Sequence, residues 1–185
     1  EREAMAIARE KVSWIRGYLE SRGADVLVAR GGEIPVQGVT LRVVQGQGRR
    51  VVMEGGVIMV PGPVERIGAR LKGHFKQMAR VRLVGASDEY AARLGRPYER
   101  ISIRDTRSRW GSCSSNGTLM YSWRLIMAPD DVLDYVAAHE VAHLAEMNHS
   151  PAYWAGVERI FGDYRPARRW LKNEGNMLHR FKFSD

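Results

Sequence analysis

The sequence predicts an α+β fold, in which blocks of helix and blocks of short strands follow one another. Three observations carry this. Apolar residues recur at helical spacing over 1–23 and again from Val64 to about Arg93. Short β-rich runs broken by glycines fill the interval between them and return around Ile101. Helical segments opened by Pro129, Pro151 and Pro166 complete the chain.

Each element has its own signal. Ile7, Val12, Ile15 and Leu19 mark the first helix, and Gly23 stops it. The runs Val26–Ala29, Val39–Val44, Arg50–Met53 and Val57–Val60 read as a small antiparallel sheet of hairpins, closed by Pro61-Gly62-Pro63. Ile67, Leu71, Phe75, Met78 and Val81 line one side of the long helix, with Gly95 near its end. Ile101 and Ile103 mark a strand, and Arg109–Cys113 and Leu119–Ile126 flank an Asn116-Gly117 hairpin signal. Pro129 opens the next helix at its first turn, where Asp130 and Asp131 complement the helix dipole. Ser150-Pro151 starts another in the same way, and Pro166 begins a last one reaching about Gly175. This organisation suggests a helix and small sheet over residues 1–63 and a catalytic unit over 64–185, or the two as one compact body.

Composition narrows the function classes. A hydrophobic fraction of 44% with 27% charged residues is ordinary globular balance, and no apolar run approaches the ~20 residues of a membrane span. The first ten residues mix charge with Ala and Ile, unlike a secretory signal, and the absence of a leading methionine suggests a trimmed chain or a missing leading segment, which leaves the true N-terminus open. Cys113 stands alone and has no internal disulfide partner, which favours a reducing cytoplasm. The net charge of +8 suits phosphates, nucleic acid or acidic substrates, or is simply the spelling of an arginine-rich surface.

The chemistry concentrates in His139-Glu140-Val141-Ala142-His143. Residues four apart on a helix share a face, so both imidazoles can converge on one ion, with Glu140 beside it as general base toward a bound water. Zinc is the preferred ion for such nitrogen ligands, and a catalytic zinc takes a third protein ligand. His149 and Glu146 compete for that place. Glu146 would have to reach past a turn of helix, whereas Asn148 can end the helix in a left-handed conformation and return His149 to the site; we prefer His149. A nucleophilic Cys113 is disfavoured, because the histidines are better used on a metal. His74 and His179 read as solvated, and Trp123 as core packing. Tyr121, Tyr153 and Arg124 are equal candidates to stabilise a developing oxyanion.

The stretch Arg104-Asp105-Thr106-Arg107-Ser108-Arg109-Trp110-Gly111-Ser112-Cys113-Ser114 resembles the Arg-Trp-Gly-Ser-Cys signature of the YgjP-like metallopeptidases. Trp123-Arg124-Leu125-Ile126, Ala128-Pro129, His139 to His143 and Asn148-His149-Ser150-Pro151 continue the order of that family. Trp14-Ile15 and the central sheet also fit, so the resemblance spans nearly the whole chain. It implies a zincin-like core related to the SprT-like and WLM zinc proteases, with His139, His143 and His149 as zinc ligands and Glu140 catalytic. One departure is Ser122, where the family often has asparagine.

Three functions compete. The first is a zinc peptidase, its Arg109–Ile126 hairpin offering an edge strand to an extended peptide or protein substrate. The second is a phosphohydrolase of nucleoside triphosphates, with Arg107, Arg109 and Arg124 holding phosphates and Arg107 and Arg109 sharing a strand face. The third is a nucleic-acid-binding protein, weakened by the absence of any recognised nucleic-acid motif. A DNA-linked protease would combine the first and third.

Overall fold

The computed structural model describes residues 24–183, so the helix expected over 1–23 lies outside the described residues. Among the described residues, a four-stranded, a three-stranded and a two-stranded sheet and four α-helices make up an α+β arrangement.

The first sheet contains β2 (Glu33–Val36), β3 (Val39–Gly46), β4 (Val52–Glu54) and β5 (Val57–Pro61), in the order β2-β3-β5-β4. Its outer pairs are antiparallel hairpins, as expected, but the central β3–β5 pair is parallel. Burial explains the difference. Ile58 and Val60 of β5 are fully buried, whereas every residue of β4 is exposed, so β5 takes the interior place and β4 the edge. The hairpins turn on Gln37-Gly38 and Gly55-Gly56, each with positive φ at both residues, the twist that two-residue turns require. Strand β2 lacks clear alternation around Pro35 and was not anticipated. The expected strand at Val26–Ala29 is shorter, β1 (Val26–Leu27), and pairs in parallel with β9 (Phe181–Lys182) instead of joining this sheet.

Helix α1 (Ile67–Leu94) follows a 3-10 turn at Val64–Arg66. Gly95 ends it at φ 74°, and the Arg96 N–H donates to the Ala91 carbonyl, a left-handed cap. Its buried stripe is Ile67, Leu71, Phe75, Ala79 and Leu83; Val81, expected on that side, is exposed. No helix among the described residues is long and apolar enough to cross a membrane.

The second sheet has the order β6-β8-β7: β6 (Arg100–Arg104), β7 (Gly111–Cys113) and β8 (Thr118–Ser122). Strand β8 ends earlier than the apolar run suggested. Trp123–Met127 is a 3-10 helix with every residue buried, and a continuous apolar run carries no period to distinguish the two. Helices α2 (Asp130–Ala142), α3 (Pro151–Phe161) and α4 (Arg165–Asn173) complete the fold. Ser150 caps α3 by accepting the Tyr153 N–H, as its position predicts.

The first sheet braces the start of α2. The Gln37 N–H donates to the Ile126 carbonyl, the Gln37 amide donates to Asp130, and a Cβ at Gly38 would meet Pro129 at 3.0 Å. Gly38→Ala therefore suffers twice, from φ +76° and from this backbone contact. We expect a loss of about 1–3 kcal/mol in urea unfolding, with an unchanged m-value.

Candidate metal centre

Helix α2 is buried nearly all round, and its final turns bury polar groups beside apolar ones. Glu140 is 6% exposed and His143 8%. His139 and Glu140 project from the last helical turns, and His143 is the cap residue. The chain then turns without a left-handed residue, contrary to the expectation for Asn148; its carboxamide oxygen instead accepts the Ser150 N–H. That turn returns His149 to the helix end.

The ligand atoms of His139, His143 and His149 all lie within 4.8 Å of one another, and the Nε2 atoms of His139 and His149 are 3.3 Å apart. Two nitrogens held about 2.0–2.1 Å from a tetrahedral ion stand about 3.3–3.4 Å apart, so this spacing fits. Glu146 does not join the cluster through its carboxylate. Its backbone carbonyl accepts from His143 Nδ1 at 3.0 Å, which puts the proton on Nδ1 and turns the Nε2 lone pair toward the centre. Tyr153 stacks on His143 at 4.5 Å and donates its hydroxyl to the His139 carbonyl, clamping the helix end to α3.

Burial sets the charge state. It pushes His139 down to about 3, helped by the neighbouring His143, His149 and Arg168, and also lowers His143. Both imidazoles are therefore neutral at pH 7, the form that binds metal. The same desolvation raises Glu140 to about 8, against the pull of Arg109. A cation in front of it would draw that value back down. The Glu140 side chain lies against the backbone of β7, where a Cβ on Gly111 would meet its Cγ and Oε1 at 2.6 Å. Cys113, half-buried nearby, has its thiol pushed up to about 11 by burial and by Glu140, so it is no thiolate nucleophile.

The arginine candidates separate. Arg109 lines the cavity of about 510 Å³ that contains the three histidines and Glu140. Arg107 lines a different cavity, with Asp25, Asn176 and Arg180. The pair does not share a strand face because residues 105–110 are not strand; the Thr106 hydroxyl donates to the Arg109 carbonyl across a turn. Arg124 is buried, donates to Asp105 at 2.8 Å and to the Leu178 and Phe181 carbonyls, and lies over the Trp123 ring. Its donors are engaged in holding the C-terminal segment, so it is withdrawn as a phosphate or oxyanion ligand. Tyr121 is fully buried against Ser87, and Tyr153 serves the helix carbonyl, so neither reaches the cavity.

Other expectations also change. His179 is buried and stacks on Trp110 at 4.8 Å; His74 is half-buried, and burial lowers its pKa. Ser122 is wholly buried and its N–H donates to the Trp110 carbonyl, so this departure from the family pattern sits behind the site. Tyr135, whose hydroxyl lies 3.5 Å from His139 Nδ1, was missed, although its place four residues before His139 is the signal for a shared face.

With this geometry in view, the sequence model of the YgjP-like metallopeptidase domain matches residues 1–174. The chain belongs to this family. A YgjP-like domain is a metallohydrolase, and its family implies a divalent metal, for which three converging histidines are suitable ligands. Comparison with curated proteins gives no match. Among solved structures, a similar one is the metallopeptidase zymogen of Pyrococcus abyssi abylysin, at 22% identity and a TM-score of 0.44. The alignment covers 50% of this chain and 95% of that one, a likeness too distant to carry an argument.

The charge state of this YgjP-like domain is testable in metal-free protein. Folded Glu140 keeps its proton up to about pH 8, above its unfolded value of 4.5. Its contribution to stability is thus fully present below about pH 4.5 and lost as pH rises toward 8. Glu140→Gln has no proton to lose there. Its melting temperature should gain on the wild type from pH 5 to pH 8 and keep a constant lead above that. Parallel melting curves across that range would disprove the burial argument.

Proposed function

We propose that this chain is a zinc-dependent peptidase in which His139, His143 and His149 hold the ion and Glu140 is the general base. The observation that carries the reading is the meeting of three imidazoles, His139 and His143 among them held neutral by burial, with one buried carboxylate in a single open cavity. His139, His143 and His149 would hold the ion, which would supply a coordinated water of lowered pKa and a Lewis acid for a carbonyl. Glu140 accepts the proton of the attacking water and returns it to the departing amine. Gly111 leaves room for that carboxylate, and Arg109 contributes positive charge at the cavity wall.

Strand β7 suits an extended peptide. It is an edge strand, and the Trp110 carbonyl accepts from the Ser122 N–H while the Ser114 N–H donates to the Thr118 carbonyl. By antiparallel alternation, residues 110, 112 and 114 face β8, so Gly111 and Cys113 direct their N–H and C=O groups to the free side. A peptide added there passes over Glu140 and the histidines. Nucleotide chemistry has less support, because Arg107 and Arg109 line separate cavities and Arg124 is engaged. For nucleic acid, only the net charge of +8 speaks.

Each of His139→Ala, His143→Ala and His149→Ala should drop zinc well below one per chain by atomic absorption. Loss in Glu146→Ala with full retention in His149→Ala would overturn the ligand set. Glu140→Gln should keep its zinc yet cut peptide hydrolysis by about 10²–10⁴-fold.

Two backbone variants test the geometry. Gly111→Ala should keep zinc and stability but lower kcat by about 10–100-fold, since the new methyl displaces Glu140. Cys113→Pro removes an outward N–H and should mainly raise KM for peptides. Unchanged kinetics in both would remove β7 from substrate binding.

A further inference from the structure

A second cavity, of about 650 Å³, adjoins the metal centre on the side of α4. Trp110, Tyr135, Arg165, Arg168, Arg169 and Lys172 line it, and no carboxylate does. No residue lines both this cavity and that of the metal centre, but neighbouring residues connect the two. Trp110 immediately precedes Gly111, Tyr135 lies beside His139, and the Arg168 guanidinium sits 4.6 Å over the Trp154 ring, which itself stacks with His149.

The four cations are not equivalent. Arg165 pairs with Asp163 at 2.9 Å and Glu158 at 3.3 Å, and Arg169 bears on Asp163 as well. Arg168 and Lys172 form no ion pair among the described residues. They are four apart on α4, so they share a face and can act on one anion. Stacking on Trp154 holds the Arg168 plane while leaving its N–H groups free at the edge.

Strand direction says which part of a substrate arrives there. A peptide added antiparallel to β7 runs toward Trp110 with its C-terminal half. We propose that this cavity is a subsite for a substrate carboxylate on the C-terminal side of the cleaved bond, with Arg168 and Lys172 as its charge-reading pair. The inference rests on the peptidase reading and deepens it. The carboxylate is either an Asp or Glu side chain or the free terminus of a short peptide; both present the same planar oxygens to the Arg168 fork.

Binding of fluorescent peptides to zinc-loaded Glu140→Gln protein, read by anisotropy, tests it. Four probes differ only beyond the central bond: a C-terminal amide bearing Ala, Glu or Lys, and the Ala peptide with a free acid. The Glu amide or the Ala acid should bind about tenfold tighter than the Ala amide, the gain of one charge-assisted contact, and the Lys amide weaker. Whichever of the two gains identifies the source of the carboxylate. Arg168→Ala with Lys172→Ala should erase the preference while leaving zinc content, circular dichroism and Ala-amide affinity unchanged. Arg165→Ala, whose charge is already paired, should retain it. In otherwise wild-type enzyme the double variant should raise KM for the preferred peptide more than it lowers kcat.

Equal affinity for all four probes, no binding of any, or a preference that survives the double variant overturns the subsite. Cleavage without preference leaves the peptidase reading standing and removes only the subsite. A preference that depends on Arg168 and Lys172, in peptides that wild-type enzyme never cuts, keeps the anion site and removes the peptidase reading.

Discussion

Desolvation at the C-terminal end of α2 is the constraint from which the rest of the site follows. A helix end ordinarily exposes its last carbonyls and polar side chains to water. Here Tyr153, the backbone of β7 and the turn through His149 close over it. One act of burial keeps His139 and His143 unprotonated and makes the carboxylate reluctant to ionise, two opposite shifts from the same cause. A buried carboxylate beside neutral nitrogen donors favours a cation, because a cation relieves the carboxylate without competing with protons on His139 and His143.

The surroundings maintain this burial with parts drawn from distant stretches of chain. Arg124 is the clearest case. Its Nε donates to Asp105 and its Nη1 to two carbonyls from residues 178 and 181, so one buried cation ties the segment after β6 to the C-terminal segment. Burial alone would raise the Asp105 carboxyl, but the Arg124 contact overrides it and holds it below the ordinary range. The arginine that looked like a substrate ligand is thus part of the scaffold.

Much of this was legible in the sequence, and the failures have physical reasons. The helix carrying His139, Glu140 and His143 announced itself by period and acidic first turn, and the family order by its motifs. Spacing alone favoured His149 over Glu146, because a helix has rigid reach. The errors fell where side-chain direction depends on contacts between distant segments. Arg107 and Arg109 were read as strand neighbours, yet the backbone there turns. Tyr121 and Tyr153 look alike as phenols in a sequence, and only packing shows that each hydroxyl is committed elsewhere. The parallel β3–β5 pair escaped notice because local patterning reports hairpins, not which strand is driven to the centre by its own apolarity. Gly111 stood within a recognised motif, but its reason, the nearness of Glu140, is a tertiary fact.

The pairing of β1 with β9 bears on when this molecule becomes complete. Val26 meets Phe181 in parallel register, a contact closed across almost all of the described chain. Such distant closure is slow and entropically costly compared with the hairpins and helices that form locally. The carbonyls that accept from Arg124 and the imidazole that stacks under Trp110 belong to this same late segment. During synthesis on the ribosome, the histidine-bearing helix emerges well before residues 178–182, so a nascent chain carries the reactive groups without their backing. Completion of the site is thereby deferred until residues 178–182 have emerged, when β9 docks on β1 and the wall behind the site closes.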